Sequence, residues 1–117
     1  MSHFEPPIKD MLFALDQFIG LEQLKNIEGF DQEIDKEFLA SIYNSAAEIA
    51  SEVIAPTNVD GDRTGVSLEK GQVSVPRGYK EAYEAYVSGG WPTLSCNPEF
   101  GGQGLPSLVS MPVNEMV

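Results

Sequence analysis

Few residues in this chain have side chains that could carry out covalent chemistry. Cys96 is its only cysteine and His3 its only histidine. A Cys-His nucleophile would require these two distant residues to meet, and no basic residue lies within ten positions of Cys96. We therefore expect Cys96 to be a buried or partly buried structural thiol and His3 to be solvated.

Acidic and amide residues ahead of the first predicted strand suggest a calcium loop. An EF-hand requires glycine at its sixth position and a bidentate Glu at its twelfth. A loop that starts at Asp60 places Gly65 sixth but Gly71 twelfth, and one that starts at Asn58 places Arg63 where glycine must stand. The sequence therefore predicts a solvated turn here and no metal site.

Gly101-Gly102-Gln103-Gly104 is rich enough in glycine to suggest a phosphate cradle. A P-loop requires a following Lys-Ser/Thr pair, and a dinucleotide fingerprint requires a preceding strand and a glycine where Ser107 stands. We expect a tight helix-to-helix turn instead. The acidic residues are spread along the chain without forming a cluster, so the sequence predicts no catalytic, cofactor-binding or metal-ligating residue.

The charge of the chain restricts its partners. Seven Lys and Arg stand against eighteen Asp and Glu, giving a net charge of −11 over 117 residues. Such a field repels nucleic-acid phosphates and anionic membrane surfaces. The amino terminus has no basic and apolar leader pattern, and no apolar run approaches the length of a membrane span. We expect a soluble, cytoplasmic protein that binds neither nucleic acid nor membrane.

The first thirty residues predict a docking arm. Apolar residues at helical spacing predict a helix over residues 7–18, with Pro7 as its first helical residue and Gly20 as its end. The residues on this stripe are Ile8, Met11, Leu12, Leu15 and Phe18. Leu21, Leu24 and Ile27 predict further turns before Gly29. Helices this short need a surface to lie on.

A longer helix is predicted after the arm. Asp35 is placed to cap its first N–H groups, and Pro56 is expected to end it because a residue that precedes proline avoids the α region. One continuous apolar stripe runs along it: Phe38, Leu39, Ile42, Tyr43, Ala46, Ile49, Ala50, Val53 and Ile54. The pattern predicts a helix that packs one face against a core.

A change of pattern follows Pro56. We interpret residues 57–65 as a polar turn, and residues 66–75 as a small β-hairpin about Lys70-Gly71 that lies on the helices through its apolar face. Tyr79, Tyr83, Tyr86 and Val87 then predict a helix that packs through a tyrosine stripe and ends at Gly89 or Gly90.

Residues 89–106 contain five glycines, three prolines and the only tryptophan. Glycine permits positive φ and proline fixes φ, so this segment predicts a shaped connection between helices. Residues 107–117 begin another apolar pattern, and we expect the chain to end within that element.

Several segments, in this order, resemble the acyl-CoA dehydrogenases. The strongest is residues 90–105, with Gly90, Trp91 and Leu94 followed by Pro-Glu and the glycine run. Residues 6–15 are similar to the arm of larger family members, and residues 50–62, 76–83 and 114–116 are similar to later family segments. Pro112, inside a predicted helix start, departs from the pattern.

This resemblance implies a fold that is mainly α, a partial helical amino-terminal domain with one hairpin. Residues 1–30 would form the arm, and residues 31–117 an incomplete helical domain. The family's enzymes use FAD in the α,β-dehydrogenation of acyl-CoA thioesters, and their catalytic glutamate and most flavin contacts come from later domains. No catalytic or cofactor residue is therefore assigned here, and we expect this chain alone to retain no FAD.

Three hypotheses follow from the resemblance. The chain is an amino-terminal fragment of such an enzyme that is inactive alone, a stand-alone interaction module that pairs with a partner or a separately encoded remainder, or a small self-sufficient flavoprotein. The first predicts exposed apolar surface and self-association, the second a complex of fixed stoichiometry, and the third bound flavin.

Overall fold

A computed structural model of the chain describes residues 3–28 and 30–117. These residues are mainly helical and include a small two-stranded antiparallel sheet, which confirms the predicted fold class. The α-helices are α1 (Ile8–Phe13), α2 (Lys36–Glu48), α3 (Thr57–Thr64), α4 (Tyr79–Ser88) and α5 (Ser107–Met116), and the strands are β1 (Ser67–Glu69) and β2 (Gln72–Ser74). Gly29, at the predicted end of the arm, lies outside the described residues.

The arm forms the predicted helix with two differences. Pro7 stands just before α1, not within it, and after Phe13 the helix widens into π-helical turns (Ala14–Ile19) that end at Gly20, φ 86°. Phe18 was predicted on the buried stripe, but its side chain is 84% exposed. A π-turn bonds residue i to i+5, as Gly20 N–H does to the Leu15 carbonyl, so the α-helical spacing no longer predicts the buried face.

The second helix follows the prediction closely. The Asp35 carboxylate accepts a hydrogen bond from the Phe38 N–H at 2.7 Å, capping α2. Beyond α2 the helix continues as π-helical turns (Ile49–Ile54). We expected this helix to end because a residue that precedes proline avoids the α region. That reason was wrong, because Ala55 is in the α region (φ −55°, ψ −37°) although Pro56 follows it.

Residues 57–64 form α3, so the predicted polar turn is wrong. Pro56 takes the helix N-cap position with φ −60°, an angle that its ring favours and that leads directly into a helix. Gly61 lies beneath the Tyr79 phenol, where a Cβ would overlap the ring. Tertiary packing against α4 therefore overrides the weak helix propensity of this segment.

The hairpin has the predicted register. Leu68 pairs with Val73 and Ser67 with Ser74, about a turn in which Lys70 and Gly71 both have positive φ. The prediction that its apolar face lies on the helices is wrong, because Leu68 is 70% exposed and Val73 65% exposed. The strands pair with each other and leave this face uncovered.

The helix α4 contains the predicted residues but packs differently. Its buried residue is Ala82, the Tyr79 phenol covers Gly61 and Tyr86 is half-buried, whereas Tyr83 is 68% exposed, so the predicted tyrosine stripe is wrong at Tyr83. The helix packs against the π-helical turns that end the second helix. A small side chain at Ala82 suits such a contact, and Tyr83 faces outward.

The core lies where the arm, α2, α5 and the segment between α4 and α5 meet. Its buried residues are Met11, Leu15, Leu39, Tyr43, Ala46, Ala50, Leu94, Leu105, Val109, Val113 and Met116. Pro112 lies within α5 and removes one donor from the helix. Close by, the buried Tyr43 hydroxyl donates a hydrogen bond to the Val109 carbonyl at 3.0 Å.

The molecule is a flat slab of 54 × 35 × 17 Å with a radius of gyration of 17.0 Å. A compact domain of this length has a radius of about 13 Å. Its accessible surface of 8450 Å² likewise exceeds the roughly 6,300 Å² of a compact protein of this mass. None of the helices formed by the described residues has the length and apolar character of a membrane span.

Candidate functional site

The segment that the sequence singles out, residues 89–106, forms a hydrogen-bonded surface loop between α4 and α5, here called the glycine-proline loop. Two 3₁₀ turns, Trp91–Thr93 and Pro98–Phe100, fold it back on itself. The N–H groups of its second half then bond to carbonyls of its first half, Gln103 to Thr93 (3.0 Å) and Leu105 to Leu94 (2.9 Å). Leu94 and Leu105 are buried and anchor the loop in the core.

Close packing requires glycine at positions 102 and 104, in the second half of this loop. A Cβ on Gly102 would overlap the backbone carbonyl of Cys96, and one on Gly104 (φ 67°) would press against the Pro98 ring. The Gly104 N–H also donates to the Cys96 carbonyl at 2.9 Å. The loop is therefore a tight helix-to-helix connection.

The amides of the glycine run are already used inside the loop. The N–H of Gly101 bonds to the Pro98 carbonyl, that of Gly102 to Asn97, and that of Gly104 to Cys96. A phosphate cradle needs such N–H groups free and converging on the anion. The glycine run therefore stabilises the loop and does not present a site for the phosphates of a nucleotide.

The structure corrects the prediction for Cys96, whose side chain is exposed. The backbone of Cys96 is the part that packs, because its carbonyl accepts the Gly104 N–H and lies against Gly102. His3 is exposed, as predicted. His3 lines a groove beside α2, whereas Cys96 lies in the glycine-proline loop, so the two residues do not form one site.

The structure also contains a concave surface that the sequence did not predict. An open groove of about 950 Å³ runs between the arm and α2. Its walls contain apolar side chains, among them Phe4, Ile8 and Leu12, and residues 3–10 form one rim. We call it the arm groove.

The arm groove is acidic. Four carboxylates line it, Glu5, Asp10, Glu48 and Glu52, against one ammonium group, Lys9. Glu48 and Glu52 are four residues apart on one helical segment, a like-charge spacing that destabilises a helix slightly. That spacing is visible in the sequence and was the available signal for this surface.

One buried titratable side chain of the described residues, Tyr43, lies in the core. Burial raises the pKa of the Tyr43 phenol well above its usual range, and its hydroxyl is engaged by Val109. Residues 3–28 and 30–117 contain no group of three or more His, Cys, Asp or Glu side chains placed to hold a metal ion.

Large apolar side chains stand exposed at several places on the slab. Phe100 projects from the glycine-proline loop and is 82% exposed. Phe13 and Phe18 of the arm and the apolar face of the hairpin are exposed as well.

Comparison with known proteins gives two relatives. The chain is 33% identical over 114 residues to 3-methylmercaptopropionyl-CoA dehydrogenase of Ruegeria pomeroyi, a match that covers 97% of this chain and 19% of the relative. It is 23% identical over 119 aligned positions to the broad-specificity linear acyl-CoA dehydrogenase FadE5 of Mycobacterium tuberculosis, covering 100% of this chain and 19% of that protein. No family model matches the chain. The chain thus resembles an N-terminal portion of these relatives and spans about a fifth of their length.

Proposed function

We propose that this chain, which resembles an N-terminal portion of acyl-CoA dehydrogenases, serves as the N-terminal helical part of an FAD-dependent enzyme of that kind. The observation that carries the proposal is the match itself, which takes in 97–100% of this chain and only 19% of each relative. In the proposed role, the chain contributes scaffold and part of the wall of the acyl pocket.

The shape of the molecule supports this role. The accessible surface of 8450 Å² is about 2,200 Å² more than a compact protein of this mass exposes. Part of that surface is apolar, as at Phe100 and Phe18. A scaffold of this kind would have these faces covered by the rest of the enzyme.

The glycine-proline loop is the segment most suited to a pocket wall. Its hydrogen bonds and its buried anchors Leu94 and Leu105 fix the loop, and Phe100 is displayed on its outer side. An apolar side chain on a rigid loop can bound an acyl-binding cavity at small cost in conformational entropy.

We propose that the described residues do not hold the flavin itself. The N–H groups of the glycine run, which could have held its phosphates, are bonded to carbonyls within the loop. FAD supplies the acceptor for the substrate's β-hydrogen in the proposed parent reaction. We therefore propose that flavin binding and removal of the α-proton belong to other parts of the enzyme and that this chain alone is inactive.

The visible absorption spectrum tests whether flavin binding belongs to other parts of the enzyme. The purified chain is mixed with FAD, freed of excess and scanned, with the relative from Ruegeria pomeroyi as a positive control. We expect a colourless protein. A flavin band that stays with the chain would overturn the proposal and mean that the chain builds a cofactor site unaided.

A chimera tests the scaffold role directly. The corresponding fifth of the Ruegeria pomeroyi relative is replaced by this chain, and flavin content and acyl-CoA dehydrogenase activity are measured. We expect both to be retained, to be lost in a second chimera with Gly102→Val, and to survive Glu48→Gln. A folded chimera with flavin content and activity no better than the relative lacking its N-terminal fifth would contradict the proposal.

The exposed apolar faces also favour a second candidate, a stand-alone module that pairs with a separately encoded remainder. Adding this chain in trans to the relative that lacks its N-terminal fifth distinguishes the two. Recovery of activity in trans, with one copy of each chain, supports the stand-alone module. Recovery only in the fused chimera supports a chain that is the N-terminal part of one continuous enzyme. For either role we propose a cytoplasmic location, which fits a chain with a single cysteine.

A further inference from the structure

The arm groove has apolar walls between two helical elements. One wall comes from residues 3–10 and Leu12 of the arm, and the other from the second helix between Asn44 and Glu52. That stretch of helix is about 12 Å long, because each helical residue adds about 1.5 Å. The groove is therefore long enough to receive a segment of about two helical turns.

Both rims of the groove are acidic. Glu5 and Asp10 stand on the arm side, Glu48 and Glu52 on the helix side, and Lys9 is the ammonium group among the residues that line it. All four carboxylates are exposed. The ion pairs of residues 3–28 and 30–117 lie elsewhere, so these carboxylates have no cationic partner among the described residues.

These carboxylates restrict what can cover the groove. A purely apolar cover would remove them from water without a partner, and the free-energy cost of burying an unpaired charge is large. A cover that carries Lys or Arg beside apolar side chains avoids this cost, because its cations pair with the rims while its apolar groups pack on Phe4, Ile8 and Leu12. Helices of this kind dock into grooves through one apolar face.

We propose that the arm groove receives a basic amphipathic segment of the enzyme's remainder. The inference rests on the proposed function, in which the rest of the enzyme covers exposed surface of this chain. It adds the place of one contact and the chemistry of the segment that makes it. Complementary charge on the two rims fixes the orientation of that segment in the groove.

Hydrogen exchange of the arm tests the contact. The chimera in which this chain replaces the N-terminal fifth of the Ruegeria pomeroyi relative is compared with the isolated chain, and exchange of residues 3–12 is followed by mass spectrometry. We expect exchange in the chimera to be at least about tenfold slower, because a docked segment suppresses local opening of the arm.

Charge reversal tests the role of the rims. Glu5→Lys and Glu52→Lys together place one cation on each side of the groove, and we expect them to remove the slowing in the chimera. In the isolated chain the same pair should leave exchange unchanged or slower, because Glu48 then precedes a lysine by four residues on the helix, a stabilising spacing. The isolated variant thereby shows that the substitutions do not unfold the arm.

A matched variant separates the groove from the general charge of the chain. Glu22→Lys with Glu33→Lys changes the net charge equally, at exposed residues that do not line the groove. It is expected to keep the slow exchange of the chimera. Loss of the slowing in this variant would indicate unspecific attraction and would overturn the inference, as would a groove variant that exchanges as slowly as the unmodified chimera.

The remaining outcomes separate this inference from the proposed function. An active, flavin-containing chimera whose arm exchanges as fast as that of the isolated chain overturns the inference alone. A chimera without flavin or activity contradicts the proposed function and the inference with it. Arm exchange in the isolated chain that slows as protein concentration rises would identify a second copy as the occupant and overturn the inference.

Discussion

At Gly102 the chain passes so close to the Cys96 carbonyl that no side chain fits between them. Replacement by Val must push the second half of the glycine-proline loop away from the first and weaken the bond from Gly104 N–H to the same carbonyl. We expect Gly102→Val to lower the free energy of unfolding by about 3 kcal/mol, from overpacking and the lost hydrogen bond. Urea unfolding followed by circular dichroism measures the change.

Two control variants separate the steric overlap at Gly102 from the cost of the backbone angle and from the effect of an exposed substitution. Gly101 has φ 85° but open space around it, so Gly101→Val reports the cost of the backbone angle alone. Glu48→Gln on the exposed side of α2 is expected to change stability by less than about 0.5 kcal/mol. Equal losses in Gly102→Val and Glu48→Gln would refute the tight-turn interpretation.

Tyr43 joins α2 to α5 through a buried hydroxyl. Burial raises the pKa of its phenol in the folded protein, whereas the unfolded chain titrates near pH 10. The folded state therefore holds the proton more tightly, and its stability is full below about pH 10 and falls as the pH rises further. The loss approaches about 1.4 kcal/mol for each pH unit.

Tyr43→Phe removes this dependence and the hydrogen bond to Val109. We expect the variant to be about 1–2 kcal/mol less stable than the wild type at pH 7, with a difference that shrinks above pH 10. Thermal or urea unfolding of both proteins from pH 7 to 11 gives the difference curve. A difference that is constant over this range would contradict a buried, un-ionised phenol.

Among the secondary-structure elements, α2 depends most visibly on a single cap. The Asp35 carboxylate accepts from the Phe38 N–H at 2.7 Å and holds the start of the helix that carries Leu39 and Tyr43 into the core. Asp35→Ala is expected to cost about 1 kcal/mol. Asp31→Ala removes the same charge from an exposed residue without a cap bond and is expected to cost little. Equal losses for the two variants, measured by urea unfolding, would count against the cap.

Sequence patterns predict elements here when one local signal dominates. Asp35 with its apolar stripe identifies α2, and Lys70-Gly71 between alternating residues identifies the hairpin and its register. The π-turns after Phe13 could not be found by a 3.6-residue period, which placed Phe18 inside. Helix α3 contains polar and glycine residues that favour a turn, and it forms against the Tyr79 phenol, a contact that is not local.

The candidate sites likewise divide into those with a local sequence signal and those that form only through folding. The tight loop between α4 and α5 was predictable because its glycines and prolines restrict the backbone locally. The exposure of Cys96 was not, because Cys96 lies between the two 3₁₀ turns and its exposure depends on how the loop folds back on itself. The spacing of Glu48 and Glu52 is visible in the sequence, but the arm groove is formed by residues about forty positions apart and therefore follows only from the packing of the arm on α2.

At the scale of the whole molecule, the slab buries less surface than its length allows. An unfolded chain of 12.8 kDa exposes about 18,600 Å², of which 8450 Å² stays exposed after folding. The chain therefore buries a little over half of its surface, where a compact protein of this size buries about two-thirds. The dependence of unfolding free energy on urea, the m-value, scales with the surface that unfolding exposes.

We therefore expect the monomeric chain to unfold with an m-value about one-fifth below that of compact proteins of its length. Self-association would add buried surface, so the measurement is made at low protein concentration and repeated at a second concentration. An m-value equal to that of compact proteins would mean that the slab closes up in solution, and would remove the exposed faces on which the scaffold role depends.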